Sequence, residues 1–242
     1  MTTLLLVHAF PLDASMWDQQ VESLKDEADV RAPSLPGFGG TPPAGDVLTV
    51  EAMANSLVGE LDLAGAERAV VCGLSMGGYA TLAMWRLHRG RIAGLVLADT
   101  RAEADDDLGK ERRRTTAETV KARGSEWMAD NPPPLLSEGA DPALWEKVKG
   151  IIRRQPAHAI AAASLGMAER TDSRPILGEI DVPTAVIVGA ADTLTPPEMS
   201  RTIADGIPGS ELTVLDDAGH LSNLENSQGF TEAVRNLLRR VT

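Results

Sequence analysis

Ala69-Val70-Val71-Cys72-Gly73-Leu74-Ser75-Met76-Gly77-Gly78 passes from an apolar, β-branched run into a glycine-flanked serine, and then into a helix-like segment spanning Tyr79 to Arg89. This order reads as strand, sharp turn and helix, with a serine at the apex. Glycines two residues either side of Ser75 let strand and helix approach closely, and the strained turn exposes the hydroxyl at the strand's end. Turns of this kind also arise from packing alone, so the meaning of this one rests on the rest of the chain.

A serine hydroxyl is a weak nucleophile near neutral pH; it needs a base, and the base needs a group to orient it. Four histidines are present. His88 and His158 fall inside helix-like segments, whereas His220, in Asp217-Ala218-Gly219-His220-Leu221, follows the strand-like run Glu211-Leu212-Thr213-Val214-Leu215. Asp192, in Gly189-Ala190-Ala191-Asp192, follows Ala185-Val186-Ile187-Val188. Ser75, Asp192 and His220 therefore sit just past strand C-termini, where open α/β sheets carry their sites. Attack on a carbonyl also builds negative charge on its oxygen. The loop His8-Ala9-Phe10-Pro11-Leu12-Asp13, after Leu4-Leu5-Leu6-Val7, can aim the Phe10 amide inward as an oxyanion donor. The Met76 amide beside the nucleophile is the second donor, and losing one such donor costs ~100- to 1,000-fold in rate.

The chain resembles the α/β-hydrolase superfamily over nearly its whole length. Five pieces carry the resemblance in order: Val7 to Asp13, Pro36-Gly37-Phe38-Gly39-Gly40, the Ser75 turn, Asp192-Thr193-Leu194-Thr195-Pro196-Pro197 and Gly219-His220-Leu221-Ser222-Asn223-Leu224-Glu225. Within the superfamily they look most like the 3-oxoadipate enol-lactonase and carboxylesterase branch. The order Ser75, Asp192, His220 is the one this superfamily uses for its triad. The resemblance assigns His8 a loop-bracing role rather than that of the base. Asp99, in Ala98-Asp99-Thr100, ends the strand where some relatives carry their acid; Asp192 is favoured over it. One departure is Ala9, where relatives usually have glycine after the histidine, and this affects the aim of the Phe10 amide.

Two N-terminal strands common in the family have no counterpart before Leu4, so the resemblance implies a trimmed, mainly parallel sheet of about six strands. They are expected near Leu4 to Val7, Val30 to Pro33, Ala69 to Cys72, Gly94 to Ala98, Ala185 to Val188 and Glu211 to Leu215. Helix-like segments such as Val50 to Leu63 and Glu198 to Ala204 supply the crossovers that parallel neighbours need. Between the fourth and fifth strands the β-branched runs vanish. Glu111 to Ala122, Pro142 to Arg153 and Ala157 to Ala168 read as helices, with Asn131-Pro132-Pro133-Pro134 breaking the chain between the first two. The expected organisation is an α/β core of residues 1–102 and 171–242, with a helical cap inserted at 103–170.

The cap carries 11 Lys and Arg against 12 Asp and Glu, so nearly all of the net charge of −12 belongs to the core. That contrast permits a cap cation to attract a substrate carboxylate. Arg112-Arg113-Arg114 and Arg153-Arg154 nonetheless read as solvated helix faces, because consecutive residues point about 100° apart and a run cannot all reach one pocket. Trp127 and Trp145 either face substrate from the cap or pin its helices together, while Trp17 and Trp85 are read as core residues.

A chain of 242 residues with 43% hydrophobic and 24% charged content fits one α/β domain with an insertion. No apolar run approaches the roughly 20 residues of a membrane span, and the N-terminus lacks a basic flank and a cleavage site, so no membrane partner and a cytoplasmic location are expected. The acidic balance disfavours nucleic acid as a partner. The single cysteine, Cys72, reads as a buried packing residue. No His and Cys cluster has zinc spacing and no dinucleotide fingerprint is present, so no metal or organic cofactor is expected. The expected activity is hydrolysis of a small-molecule carboxylic ester or lactone. The same triad also serves C–C bond hydrolysis of ring-cleavage products or perhydrolase chemistry, and a low-turnover ligand-binding module is a third reading. The sequence leaves oligomeric state open.

Overall fold

The computed structural model describes residues 1–241. One sheet is formed by β1 (Thr3–Val7), β2 (Asp29–Arg31), β3 (Ala69–Leu74), β4 (Ile92–Ala98), β5 (Thr184–Gly189) and β6 (Glu211–Leu215). The strand order is β2-β1-β3-β4-β5-β6, and every neighbouring pair is parallel. β1 and β3 are buried along their whole length, as expected of central parallel strands covered by helices on both faces. From β1 the chain first moves out to β2 on one side and then crosses to β3 on the other. The crevice beyond the C-terminal ends of β1 and β3 is thus the sheet's topological switch point.

The expected strands are all present, with boundaries shifted by one or two residues in all but β6. β2 stops at Arg31 instead of running to Pro33, which has no N–H to offer the ladder. β3 extends past Cys72, since Gly73 and Leu74 pair with Leu97 and Ala98 of β4.

The crossovers are helical: α1 (Asp18–Leu24), α2 (Val50–Leu63), α3 (Met76–His88), and, between β4 and β5, α4 (Asp107–Asp130), α5 (Pro142–Arg154) and α6 (Ala157–Ala168). α7 (Pro197–Gly206), α8 (Ser222–Glu225) and α9 (Ser227–Val241) complete the chain. α4 starts earlier than periodicity alone suggests because the Asp106 carboxylate caps the Gly109 amide, and it runs beyond Ala122 to Asp130. Gly124 breaks its direction, with φ 81° and ψ 173°, a conformation open to glycine. None of the described helices is long and apolar enough to cross a membrane.

α6 joins α4 to the core through a close backbone approach. The Leu48 amide donates to the Ala162 carbonyl at 3.0 Å, and a Cβ on Gly166 would run into the Leu48 carbonyl. The alanine-rich sequence of α6 is what lets it sit this near. In the core, Trp17 and Trp85 are buried, and Trp17 packs on Phe230 with ring centroids 5.6 Å apart. Cys72 is buried, and burial pushes its thiol well above the usual range.

Gly150 in α5 and Gly166 in α6 both occupy helical positions, but only Gly166 meets backbone from another element. Gly150→Ala should therefore stabilise by up to ~1 kcal/mol through helix propensity. Gly166→Ala should destabilise by ~1–3 kcal/mol or more through overpacking, with thermal unfolding followed by circular dichroism as the measurement. Equal shifts for the two variants would contradict the tight α6–Leu48 contact.

Candidate active site

The turn at Ser75 is built by its glycines. A Cβ on Gly73 would strike the Gly77 carbonyl and the Thr81 hydroxyl, and one on Gly77 would strike the Val7 carbonyl of β1. Ser75 itself has φ 57° and ψ −112°, outside the regions an L-residue adopts freely, a cost on the order of 1–3 kcal/mol. Neighbouring bonds hold it there: the Ser75 amide donates to the Ala98 carbonyl at 2.9 Å, and Thr100 Oγ1 donates to the Ser75 carbonyl at 2.9 Å.

Ser75, His220 and Asp192 meet above the sheet. Ser75 Oγ lies 2.8 Å from His220 Nε2, and His220 Nδ1 lies 2.9 Å from Asp192 Oδ2. Asp192 also accepts from the amides of Leu194 at 2.8 Å and Thr195 at 3.0 Å, and from the Thr195 hydroxyl at 2.6 Å. Burial alone would push the Asp192 carboxyl up, but the His220 and Thr195 bonds and the His220 charge outweigh it and hold the pKa below the ordinary value. An ionised carboxylate only accepts, so Nδ1 carries the imidazole proton and Nε2 presents its lone pair to Ser75.

Asp99 is the contrast. It too is fully buried, with φ 43°, yet it contacts no histidine: Oδ1 accepts from the Gly189 amide at 2.8 Å, and Oδ2 accepts from the Ser222 hydroxyl. Burial and the nearby Asp192 charge raise its pKa well above the usual carboxylate range, against the pull of those two bonds. The structure thus brings Asp192, not Asp99, to the imidazole.

His8 is fully buried, does not border the cavity that holds Ser75, and bonds to neither Ser75 nor Asp192. Its Nε2 accepts from the Leu35 amide at 3.0 Å, and its Nδ1–H donates to the Ala9 carbonyl at 3.0 Å, so both nitrogens are committed to backbone. Burial lowers its pKa to about 4, and the ring stays neutral. Despite Ala9, the loop is well held, with the Ala9 amide pointing to Met16 Sδ at 3.2 Å. The amides of Phe10 and Met76 have no hydrogen-bond acceptor among the described residues. Phe10 borders the same cavity as Ser75, while the Met76 side chain is buried outside it.

That cavity has a volume of about 450 Å3 and opens over Ser75, with His220, Thr195, Leu194 and Phe10 on the core side and Trp127, Met128, Pro132 and Pro133 opposite. Trp127 borders it because the break at Gly124 redirects the end of α4; Arg123 lies over its ring at 5.5 Å. Trp145 does not line the cavity: it is half-buried on α5, packed against the hydrophobic core. The arginine runs also depart from expectation. Arg114 pairs outward with Glu169 and Arg153 with Glu126 and Asp130, but Arg112 and Arg113 border the cavity.

Three supporting residues were not singled out from sequence. Thr195 sits three residues after Asp192, a local spacing at which side chains bond backbone and one another. Glu225 accepts from the Gly219 amide at 2.7 Å and from Ser137, tying the His220 loop to the segment after α4. Buried Gln155 donates to Asp13 at 2.7 Å and accepts from the Gly39 amide at 2.9 Å, joining the end of α5 to two core loops. Gln155 spans 142 and 116 positions to its partners and no local pattern marks it, whereas Glu225 reaches Gly219 six residues away and Ser137 across 88.

A family model described as "Alpha/beta hydrolase family" matches residues 4–233. The structure of a thermophilic esterase from Thermogutta terrifontis, solved with malate bound, superposes with a TM-score of 0.96 at 43% identity, covering 100% of this chain and 90% of that one. The enol-lactonase from Burkholderia xenovorans LB400 superposes with a TM-score of 0.90 at 27% identity, covering 98% and 91%. Among curated sequences, the pimeloyl-[acyl-carrier protein] methyl ester esterase of Aromatoleum aromaticum is 28% identical over 98% of each chain. The resemblance read from the five sequence pieces agrees with these matches.

The two perturbed groups predict opposite pH responses. His8 is charged in the unfolded chain below about pH 6.5 but neutral in the fold down to about pH 4, so it favours the fold above that window and costs stability as pH falls through it, on the order of 3 kcal/mol. Asp99 holds its proton more tightly in the fold than in the unfolded chain, so its contribution is present below about pH 3.9 and is lost as pH rises. In urea unfolding, Asp99→Asn should gain stability relative to the parent as pH rises from 4.5 to 8, and His8→Gln should show a flatter decline between pH 6.5 and 4.5. A constant difference between Asp99→Asn and parent across pH would contradict a raised Asp99 pKa.

Proposed function

The chain belongs to the alpha/beta hydrolase family, and from that premise we propose that it is a serine hydrolase cleaving small carboxylic esters or lactones through an acyl-enzyme. The observation that carries this reading is the buried line Ser75 Oγ, His220 Nε2, His220 Nδ1 and Asp192 Oδ2, with successive hydrogen bonds of 2.8 and 2.9 Å. The similar proteins support the ester or lactone bond, since their names are those of an esterase, an enol-lactonase and a methyl ester esterase.

In this mechanism His220 takes the Ser75 proton as Oγ attacks the carbonyl carbon, and Asp192 holds the imidazole in its working tautomer and stabilises the imidazolium. The unpartnered amides of Phe10 and Met76 receive the oxyanion. His220 then gives the proton to the departing alkoxide or enolate, and water repeats the cycle on the acyl-enzyme. Helices α4 to α6 act as a cap, and a cavity of about 450 Å3 favours small substrates.

Short-chain p-nitrophenyl esters test the reading. Ser75→Ala should lower kcat/KM by at least ~1,000-fold and Asp192→Asn by a comparable amount, whereas Asp99→Asn should stay within about tenfold. The parent's kcat/KM should fall on acidification, because an imidazolium cannot accept the serine proton. Equal rates for Ser75→Ala and parent would end the serine-nucleophile reading, and a larger loss at Asp99 than at Asp192 would reassign the acid.

A further inference from the structure

The cavity over Ser75 is bordered by Arg101, Arg112 and Arg113, and by a single carboxylate, Asp105. In a chain of net charge −12 this is a local reversal of sign. Asp105 does not balance it. Its oxygens accept from Arg113 Nε at 3.0 Å, from Arg170 at 2.6 and 3.0 Å, and from Arg101, so one negative charge serves three guanidiniums. Arg170 is buried behind the wall, over the Tyr79 ring at 4.2 Å, where it also feels Glu103; Glu103 does not border the cavity.

The free donors face the opening. Arg113 is anchored through Nε, and its two terminal nitrogens have no partner among the described residues and are not sealed from solvent. A guanidinium fixed at one edge by a buried carboxylate presents its other edge in a set orientation, suited to bidentate recognition of a planar anion. Arg112, the adjacent residue, is exposed at the cavity rim and pairs with no acidic group among the described residues. Two cations with open valences thus share a cavity with Ser75, and no anion of the protein saturates them.

We propose that Arg112 and Arg113 form an anion subsite selecting substrates that carry a free carboxylate remote from the scissile carbonyl, namely half-esters of small dicarboxylic acids. This deepens the hydrolase reading and rests on it. Carboxylate capture by these arginines fixes the carbonyl over Ser75, while the acidic body repels anions from the rest of the surface.

The test compares kcat/KM for monomethyl and dimethyl esters of succinic, glutaric and adipic acids. The charged member of at least one pair should be preferred by about tenfold or more. That ratio should fall with added salt, fall in Arg113→Gln through KM, and invert in Arg112→Glu. The Arg112 side chain bonds to nothing among the described residues, so its substitution keeps the test alive if Arg113→Gln does not fold. Calorimetry adds a readout without turnover: Ser75→Ala should bind glutarate, and Ser75→Ala with Arg112→Glu should not. Ester hydrolysis with no preference in any pair, in parent and variants alike, overturns the subsite and leaves the hydrolase reading intact. Arginine-dependent glutarate binding by a protein that turns over no ester overturns the hydrolase reading and keeps the subsite.

Discussion

Two buried carboxylates stand close together at the C-terminal edge of the sheet, and a low-dielectric interior does not let both ionise. The difference in their donors decides which one does. Asp192 receives two amides, a hydroxyl and an imidazole N–H, whereas Asp99 receives the amides of Gly189 and Ser222 and the Ser222 hydroxyl but no imidazole. The charged carboxylate then sets the tautomer of His220, and the tautomer sets which nitrogen faces Ser75. Without that division of charge, the proposed proton path would have no direction.

The fold supplies the convergence. Ser75, Asp192 and His220 leave the ends of β3, β5 and β6, and the Phe10 loop leaves β1, the neighbour of β3 at the switch point. Parallel strands put all their C-terminal ends at one edge, so residues distant in the chain gather there without any long loop. Thr195, Glu225 and Gln155 then brace the loops to each other and to the helices above. The strained backbone of Ser75 is held by the Ala98 carbonyl of β4, which accepts from its amide, and by the Thr100 hydroxyl, which donates to its carbonyl, while Gly73 and Gly77 let α3 and β1 approach closely on either side.

The helices between β4 and β5 add a different property. Their overall charge is nearly balanced, but its distribution is not: Arg112 and Arg113 reach the cavity while Arg114 turns to Glu169. Buried Asp105 works less as a neutraliser than as a clamp that orients guanidiniums, and its own carboxyl is held down to about 2, because the Arg170 and Arg113 bonds and charges overcome the upward push of burial. Charge counts along a sequence miss this kind of asymmetry, which depends on which side of a helix meets the cavity.

What the chain alone determined were the local and ordered features. The six strands announce themselves as short β-branched runs, the glycine-serine turn by its spacing, and Asp192 and His220 by their places just past strand ends, because each depends on residues within a few positions of one another. Among the boundaries that slipped, β2 ended early at a proline and α4 began sooner at an aspartate cap. Tertiary structure alone decided that Trp127 rather than Trp145 borders the cavity, and that two arginines of a run of three border it as well. Each of those outcomes hangs on contacts between residues tens of positions apart, where burial, the redirected end of α4 at Gly124 and the packing of α6 on Leu48 fix orientations that no local pattern encodes.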